Sequence, residues 1–208
     1  MDRFIIGPKP RTVLSYFLGQ SELQTSNVSM EVAEPARLSV NIFCDGACIN
    51  NGRRGARASY GVVAYRSGSA GLGEEIFRTA ASLSPSEPQT NQRGELRGLA
   101  AAVTYAITAM RAGATTIRIY TDSEYALNCI TKWVPGWQRS GWRRADGTPV
   151  LHRDILEPLY DNWNMLRGVG FLQHVAAHTG RSDAISIGNN RADALARGAL
   201  SHSIAGYF

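Results

Sequence analysis

The sequence predicts an α/β fold, a mixed five-stranded sheet of three antiparallel strands followed by two more, with helices on both faces. Three observations point there. Three alternating segments with brief connections open the dense part of the chain, as an antiparallel meander would. A long apolar stripe at helical spacing follows. After it, helices and alternating segments succeed one another as strand, helix, helix, strand, helix, which suits a sheet that carries helices.

Residues 1–37 read as an N-terminal tail or linker, with Pro8, Pro10, Pro35 and a polar stretch from Gln20 to Ser29. Residues 38–202 read as one folded domain and 203–208 as a C-terminal tail. Leu38, Val40, Ile42 and Cys44 alternate with Ser39, Asn41 and Phe43, a strand expected to stop at Asp45-Gly46. Ala58 to Tyr65 and Glu74 to Thr79 form the next two strands, joined by the Gly/Ser-rich turn Ser67 to Gly73. Leu96, Leu99, Ala100, Val103, Ala106, Ile107 and Met110 then make one helical stripe that ends at Gly113. Thr116 to Tyr120 is a strand that stops before Asp122. Helices are expected over Ser123 to Trp133 and Arg153 to Arg167, with a basic, Trp-rich stretch up to Arg144 between them. Val169 to Ala176 is the last strand and Asn190 to Leu200 the last helix.

Composition narrows the function classes. Of 208 residues, 44% are hydrophobic and 19% charged, an ordinary globular balance that argues against a mostly disordered chain. No uninterrupted apolar run nears the roughly 20 residues of a membrane-spanning helix, so no membrane partner is expected. The three cysteines cannot build a disulfide framework and no secretory signal opens the chain, which predicts an intracellular protein of the cytoplasm, nucleus or an organelle. Lys and Arg number 22 against 17 acids, a net charge of +5 that hints at a polyanionic partner.

Two strands end in an acid at the same relative place, Cys44-Asp45-Gly46 and Thr121-Asp122-Ser123. In an open α/β sheet such groups converge on one crevice, although a turn and a helix N-cap would also explain them. Glu95 beside the long apolar stripe and Asp193 in the last helix add two more acids. Four carboxylates brought together repel one another unless divalent cations neutralise them. Oxygen ligands without Cys or paired His select Mg²⁺ or Mn²⁺ over Zn²⁺, a site suited to phosphoryl transfer.

The runs Asp45-Gly46-Ala47-Cys48, Thr90-Asn91-Gln92-Arg93-Gly94-Glu95, Thr121-Asp122-Ser123-Glu124-Tyr125 and Asn190-Arg191-Ala192-Asp193 resemble the type 1 ribonuclease H family. Thr131 to Trp142 resembles its basic handle, and the likeness covers residues 39 to about 200 in the family's order. The resemblance implies a ribonuclease H-like fold and an endonuclease that cuts the RNA strand of RNA–DNA hybrids, leaving 5′-phosphate and 3′-hydroxyl ends. It implies that Asp45, Glu95, Asp122 and Asp193 hold two Mg²⁺ ions, with Mn²⁺ as a substitute. His178 matches the family's mobile-loop histidine, which assists proton movement or product release, a task that suits an imidazole near neutrality.

By the same resemblance, Cys48, Asn51, Asn91, Gln92, Glu95 and Glu124 fall where the minor groove and the 2′-hydroxyl are read, the group that tells RNA from DNA. Thr90 falls where a DNA phosphate is bound, and Lys132, Arg139, Arg143 and Arg144 of the handle where the backbone is. Trp133, Trp137 and Trp142 divide between packing the handle and walling the groove. With four acids neutralised by metal, 13 remain against 22 basic residues, as a backbone-tracking nuclease needs.

Two departures from the family pattern stand out. Gly94 is unusual at a helix start, and Ser182 to Gly188 lengthen the loop between His178 and Asp193. Two other readings fit the fold: a hybrid-binding module without catalysis, and a resolvase or integrase acting on DNA. The enzyme is expected to be a monomer. In the tail, Val13, Tyr16 and Phe17 have the spacing of a sliding-clamp-binding peptide, with Pro10 where such peptides carry Gln. The alternative is that this apolar run packs on the catalytic domain.

Overall fold

A computed structural model of the chain describes residues 38–68, 71–177 and 182–202. Both tails, the clamp-like peptide and His178 lie outside the described residues.

Strand β1 (Leu38–Ile49) is apolar and buried on both faces, with Val40, Ile42 and Cys44 pointing one way and Phe43 the other. Such a strand needs cover on both sides and neighbours on both edges, and it lies at the centre. On one edge it pairs antiparallel with β2 (Arg57–Arg66), which pairs antiparallel with β3 (Glu75–Ser82). On the other it pairs parallel with β4 (Ala114–Thr121), which pairs parallel with β5 (Gly170–His174). The order is β3-β2-β1-β4-β5, the mixed sheet expected.

Alternation along the strands divides the core in two. On one face Ile42, Val62, Ile117 and Ile119 meet Leu96, Leu99 and Val103 of α1 (Asn91–Arg111), and Ile155, Leu156 and Leu159 of α4 (Arg153–Met165) join the same cluster. On the other face Phe43, Val63, Tyr65 and Tyr120 pack with Ala192 of α5 (Ala184–His202), and the Phe43 and Tyr120 rings stack 4.8 Å apart. Between β4 and α4 run α2 (Glu124–Asn128), a π-helical turn (Cys129–Trp133) and α3 (Val134–Arg139). Among the described residues no helix is long and apolar enough to cross a membrane.

Several boundaries differ from expectation. Strand β1 does not stop at Asp45-Gly46 but continues to Ile49, because β2 keeps pairing with it from Gly46↔Tyr60 to Ile49↔Arg57. Asp45 therefore projects from the body of a strand. The helix expected from Ser123 to Trp133 widens into the π turn after Asn128. The last helix starts at Ala184, six residues early, capped by Asp183, whose Oδ1 accepts from the Ser186 amide and whose Oδ2 accepts from the Ser186 hydroxyl. Most of the stretch read as a lengthened loop is thus helix.

Gly94 has a packing reason: a Cβ there would come within 2.6 Å of the Ser59 carbonyl oxygen. Opposite it, a Cβ on Gly46 would run into the Glu95 backbone nitrogen. The two glycines let α1 lie directly on β1, which brings Glu95 down to the level of Asp45.

Candidate active site

Parallel pairing sets the first two acids side by side. Phe43 lies opposite Tyr120, so two residues further on Asp45 and Asp122 leave neighbouring strands at one level. Glu95 arrives from α1 on one face of the sheet and Asp193 from α5 on the other. All four line one open cleft of about 550 Å³, together with Asn91 and Arg197.

Each carboxylate is held by the chain. Asp45 is 9% exposed, and its Oδ1 accepts from the Gly46 amide at 2.7 Å. Glu95 accepts from Asn91 Nδ2 at 2.7 Å and from the Ser123 hydroxyl at 2.5 Å. Asp122 Oδ2 accepts from Asn189 Nδ2 at 3.0 Å, and Asp193 Oδ1 accepts from Arg197 Nε at 2.7 Å. Burial, followed by the charges of Asp122, Asp193 and Glu95, pushes the Asp45 carboxyl up to about 8 against the relief of the Gly46 amide. Burial also raises Glu95, as does the Asp122 charge, while Ser123 and Asn91 oppose the rise.

The cleft therefore concentrates negative charge without enough counter-charge of its own, and all four donors are hard oxygens. That donor set fits Mg²⁺ or Mn²⁺. Among the described residues no three Asp, Glu, His or Cys side chains form a group that encloses one ion, and each of the four carboxylates rests on its own protein donor.

The residues expected to read the substrate fall into three groups. Cys48 and Asn91 line the cleft, and Asn51 sits beside it, its Oδ1 accepting from the Asn91 amide at 3.2 Å. Thr90 caps α1 by accepting from the Arg93 amide, so its hydroxyl has a structural task, while Gln92 and Glu124 are exposed. In the handle, Lys132, Arg139, Arg143 and Arg144 are exposed, with Arg143 donating to the Gly147 carbonyl. Trp133 is 39% exposed and tilts against both Tyr125 and the half-buried Trp137, an aromatic ledge beside the cations. Trp142 is a correction. It is 6% exposed, packed in the core with the Arg153 guanidinium over its ring, and cannot wall a groove.

Sequence reasoning missed the partners that hold the acids. Arg197, four residues after Asp193 on one helix, was visible in the spacing. Ser123 was legible only as a helix cap, which it also is. Asn189 on α5 and His174 on β5, which contacts the Asp122 carbonyl through Nε2, carried no signal because helix packing and strand register, not spacing, bring them in. A further element is the nearly buried Arg93, clamped between Glu87 and Asp154, which ties the start of α1 to α4.

The family model for RNase H matches residues 37–201. Ribonuclease H of Cyanothece sp. is 38% identical over 156 residues, 75% of this chain and 85% of that protein. Ribonuclease H1 of Rattus norvegicus is 32% identical over 160 residues, and the match spans 76% of this chain but 49% of the rat protein. The solution structure of the prototype foamy virus RNase H domain shares the fold with a TM-score of 0.65 at 20% identity, over 80% of this chain and 96% of that one.

Proposed function

The chain belongs to the ribonuclease H family, and on that premise we propose that it hydrolyses the RNA strand of RNA–DNA hybrids internally, leaving 5′-phosphate and 3′-hydroxyl ends. The observation that carries the proposal is the arrival of Asp45, Glu95, Asp122 and Asp193 in one cleft from four separate elements. Families of this kind depend on divalent metal, and these four carboxylates would hold two Mg²⁺ ions, with Mn²⁺ able to replace them. Such ions supply a water of lowered pKa and a clamp on the attacking and leaving oxygens.

The chain's own residues do the rest. The oxygen of the attacking water joins phosphorus as the P–O3′ bond breaks, and a proton must reach the departing 3′-oxygen. His178 is the residue assigned to move it. Asn91 and Glu95 share a hydrogen bond at the cleft wall, so a ribose 2′-hydroxyl placed there meets a donor and an acceptor already oriented by each other. A deoxyribose would leave both without that partner. The handle cations and the Trp133 ledge hold the duplex backbone and exclude water beside it.

The test is a panel of end-labelled substrates with matched sequence: hybrid, RNA duplex, DNA duplex and single-stranded RNA, each with and without Mg²⁺. The proposal expects cutting of the hybrid's RNA strand alone, only with Mg²⁺, with fragments that carry 5′-phosphate. Cutting of a branched DNA added to the panel in preference to hybrid, or hybrid binding without any cleavage, would overturn it.

A further inference from the structure

The turn between β1 and β2, residues 50–56, carries two cations that the site described above does not use. Arg53 and Arg54 are exposed, and among the described residues neither has an ion pair. No acid occurs in the sequence between Asp45 and Glu74, so nothing nearby along the chain neutralises them. The turn is built to a fixed shape. Asn50, Gly52 and Gly55 take the left-handed region, at φ 52°, 74° and 78°. The Arg53 amide donates to the Asn50 carbonyl at 2.8 Å and the Ala56 amide to the Arg53 carbonyl at 3.2 Å.

Its position ties it to the cleft. It grows directly out of Cys48 and Ile49, which line the cleft wall, and Asn51 within it accepts from the Asn91 amide. Asn91 in turn holds Glu95, Glu95 holds Ser123, and Ser123 caps the helix that leads into the handle. The two basic segments thus stand at the two ends of one chain of contacts that runs through Glu95. A polyanion approaching four carboxylates is repelled at the centre of its footprint, and flanking cations on both sides offset that repulsion.

We infer that Arg53 and Arg54 form a second phosphate-binding rim for the nucleic-acid duplex, so that the hybrid lies across the cleft between this turn and the handle. The inference rests on the hybrid as substrate and adds a specific backbone contact to it. Guanidinium groups suit phosphate oxygens as paired donors, and a turn of fixed shape presents them with little ordering cost.

The test compares Arg53→Ala/Arg54→Ala with a charge-matched control, Arg66→Ala/Arg111→Ala. Arg66 is at the far end of β2 from the turn, and Arg111 closes α1 about 30 Å from its start at that helix's rise per residue. Binding of a fluorescent hybrid is followed by anisotropy in Ca²⁺ across about 50 to 200 mM salt. The rim variant should bind roughly 10-fold more weakly, with a log–log salt slope smaller by about two. Arg53→Lys/Arg54→Lys should recover the slope and part of the affinity. A neutral methylphosphonate placed along the substrate should weaken wild type at one or two positions and leave the rim variant unaffected there. Equal affinity and slope in the rim variant and the control would overturn the inference, as would a methylphosphonate effect identical in both proteins. Cleavage by wild type in Mg²⁺ is run alongside: its failure counts against the hydrolase reading, whereas the salt slopes bear on the rim alone.

Discussion

The acid-lined cleft and the handle are built in opposite ways. In the cleft, residues about 150 positions apart in the chain meet because strand register, two contacting glycines and two helices on opposite faces fix their heights. In the handle, a run of neighbouring residues folds on itself through local bonds, from the Trp142 amide to the Trp137 carbonyl and from the Arg144 amide to the Thr148 carbonyl. A cleft residue's task is therefore set by the sheet, and a handle residue's by which way a short local turn happens to point it. Chemical type therefore identifies the residues of the cleft, whereas those of the handle are sorted only by how the local turn folds.

The sharpest way to break this comparison is to remove one charge from the cleft. Asp45→Asn or Asp122→Asn keeps the side-chain shape and should lower hybrid turnover by roughly 100-fold or more, while hybrid binding measured by anisotropy survives. If either variant kept more than a few per cent of wild-type turnover, the cleft would not be the reacting site.

Two of the handle's three tryptophans differ next. Trp142→Ala empties a core position and should cost about 3–5 kcal/mol in chemical denaturation. Trp133→Ala removes an exposed ring and should leave the midpoint nearly unchanged while weakening hybrid binding. The reverse pattern would place the wrong ring in the groove.

A smaller effect is expected from the handle's cations. Arg139→Ala with Arg144→Ala should raise KM severalfold and reduce the log–log salt slope by about two, because each lost phosphate contact releases about one counterion fewer. An unchanged slope would mean that the handle does not track the backbone.

The smallest effect is a pH dependence of the metal-free protein. Asp45 has a folded pKa raised from 3.8 to about 8, so the native state holds a proton that the unfolded chain releases above about 4. That contribution is fully present below pH 4 and is lost as pH rises toward 8. In EDTA, the Tm of Asp45→Asn relative to wild type should therefore be flat in acid, climb from pH 4 to 8 and level off above. A difference independent of pH would contradict the burial of Asp45 and the crowding of charge around it.

The legibility of the two regions follows from the same contrast. The order of strands and helices was readable because β1 and β4 carry partial alternation and α1 a helical stripe, and the four acids stood in recognisable runs. The continuation of β1 past Asp45-Gly46 was not, since Asp-Gly ordinarily signals a turn and only pairing with β2 overrides it. The early start of α5 was hidden because Gly188 and the Ser/Asn-rich stretch around it have weak helix propensity, which packing against Phe43 outweighs. Trp142 could not be told from Trp133 and Trp137 because three tryptophans among cations look alike until the local turn buries one of them.

On the proposed function, four carboxylates from four elements act as one metal-dependent site. Carboxyl-carbon NMR of a ¹³C-labelled sample reads it directly, with Mg²⁺ titrated in the presence of a hybrid whose RNA strand resists cleavage. The side-chain carboxyl signals of Asp45, Glu95, Asp122 and Asp193 should shift together, while those of exposed acids such as Asp161 and Asp146 stay still. Shifts confined to one of the four, or spread evenly over the surface acids, would contradict it.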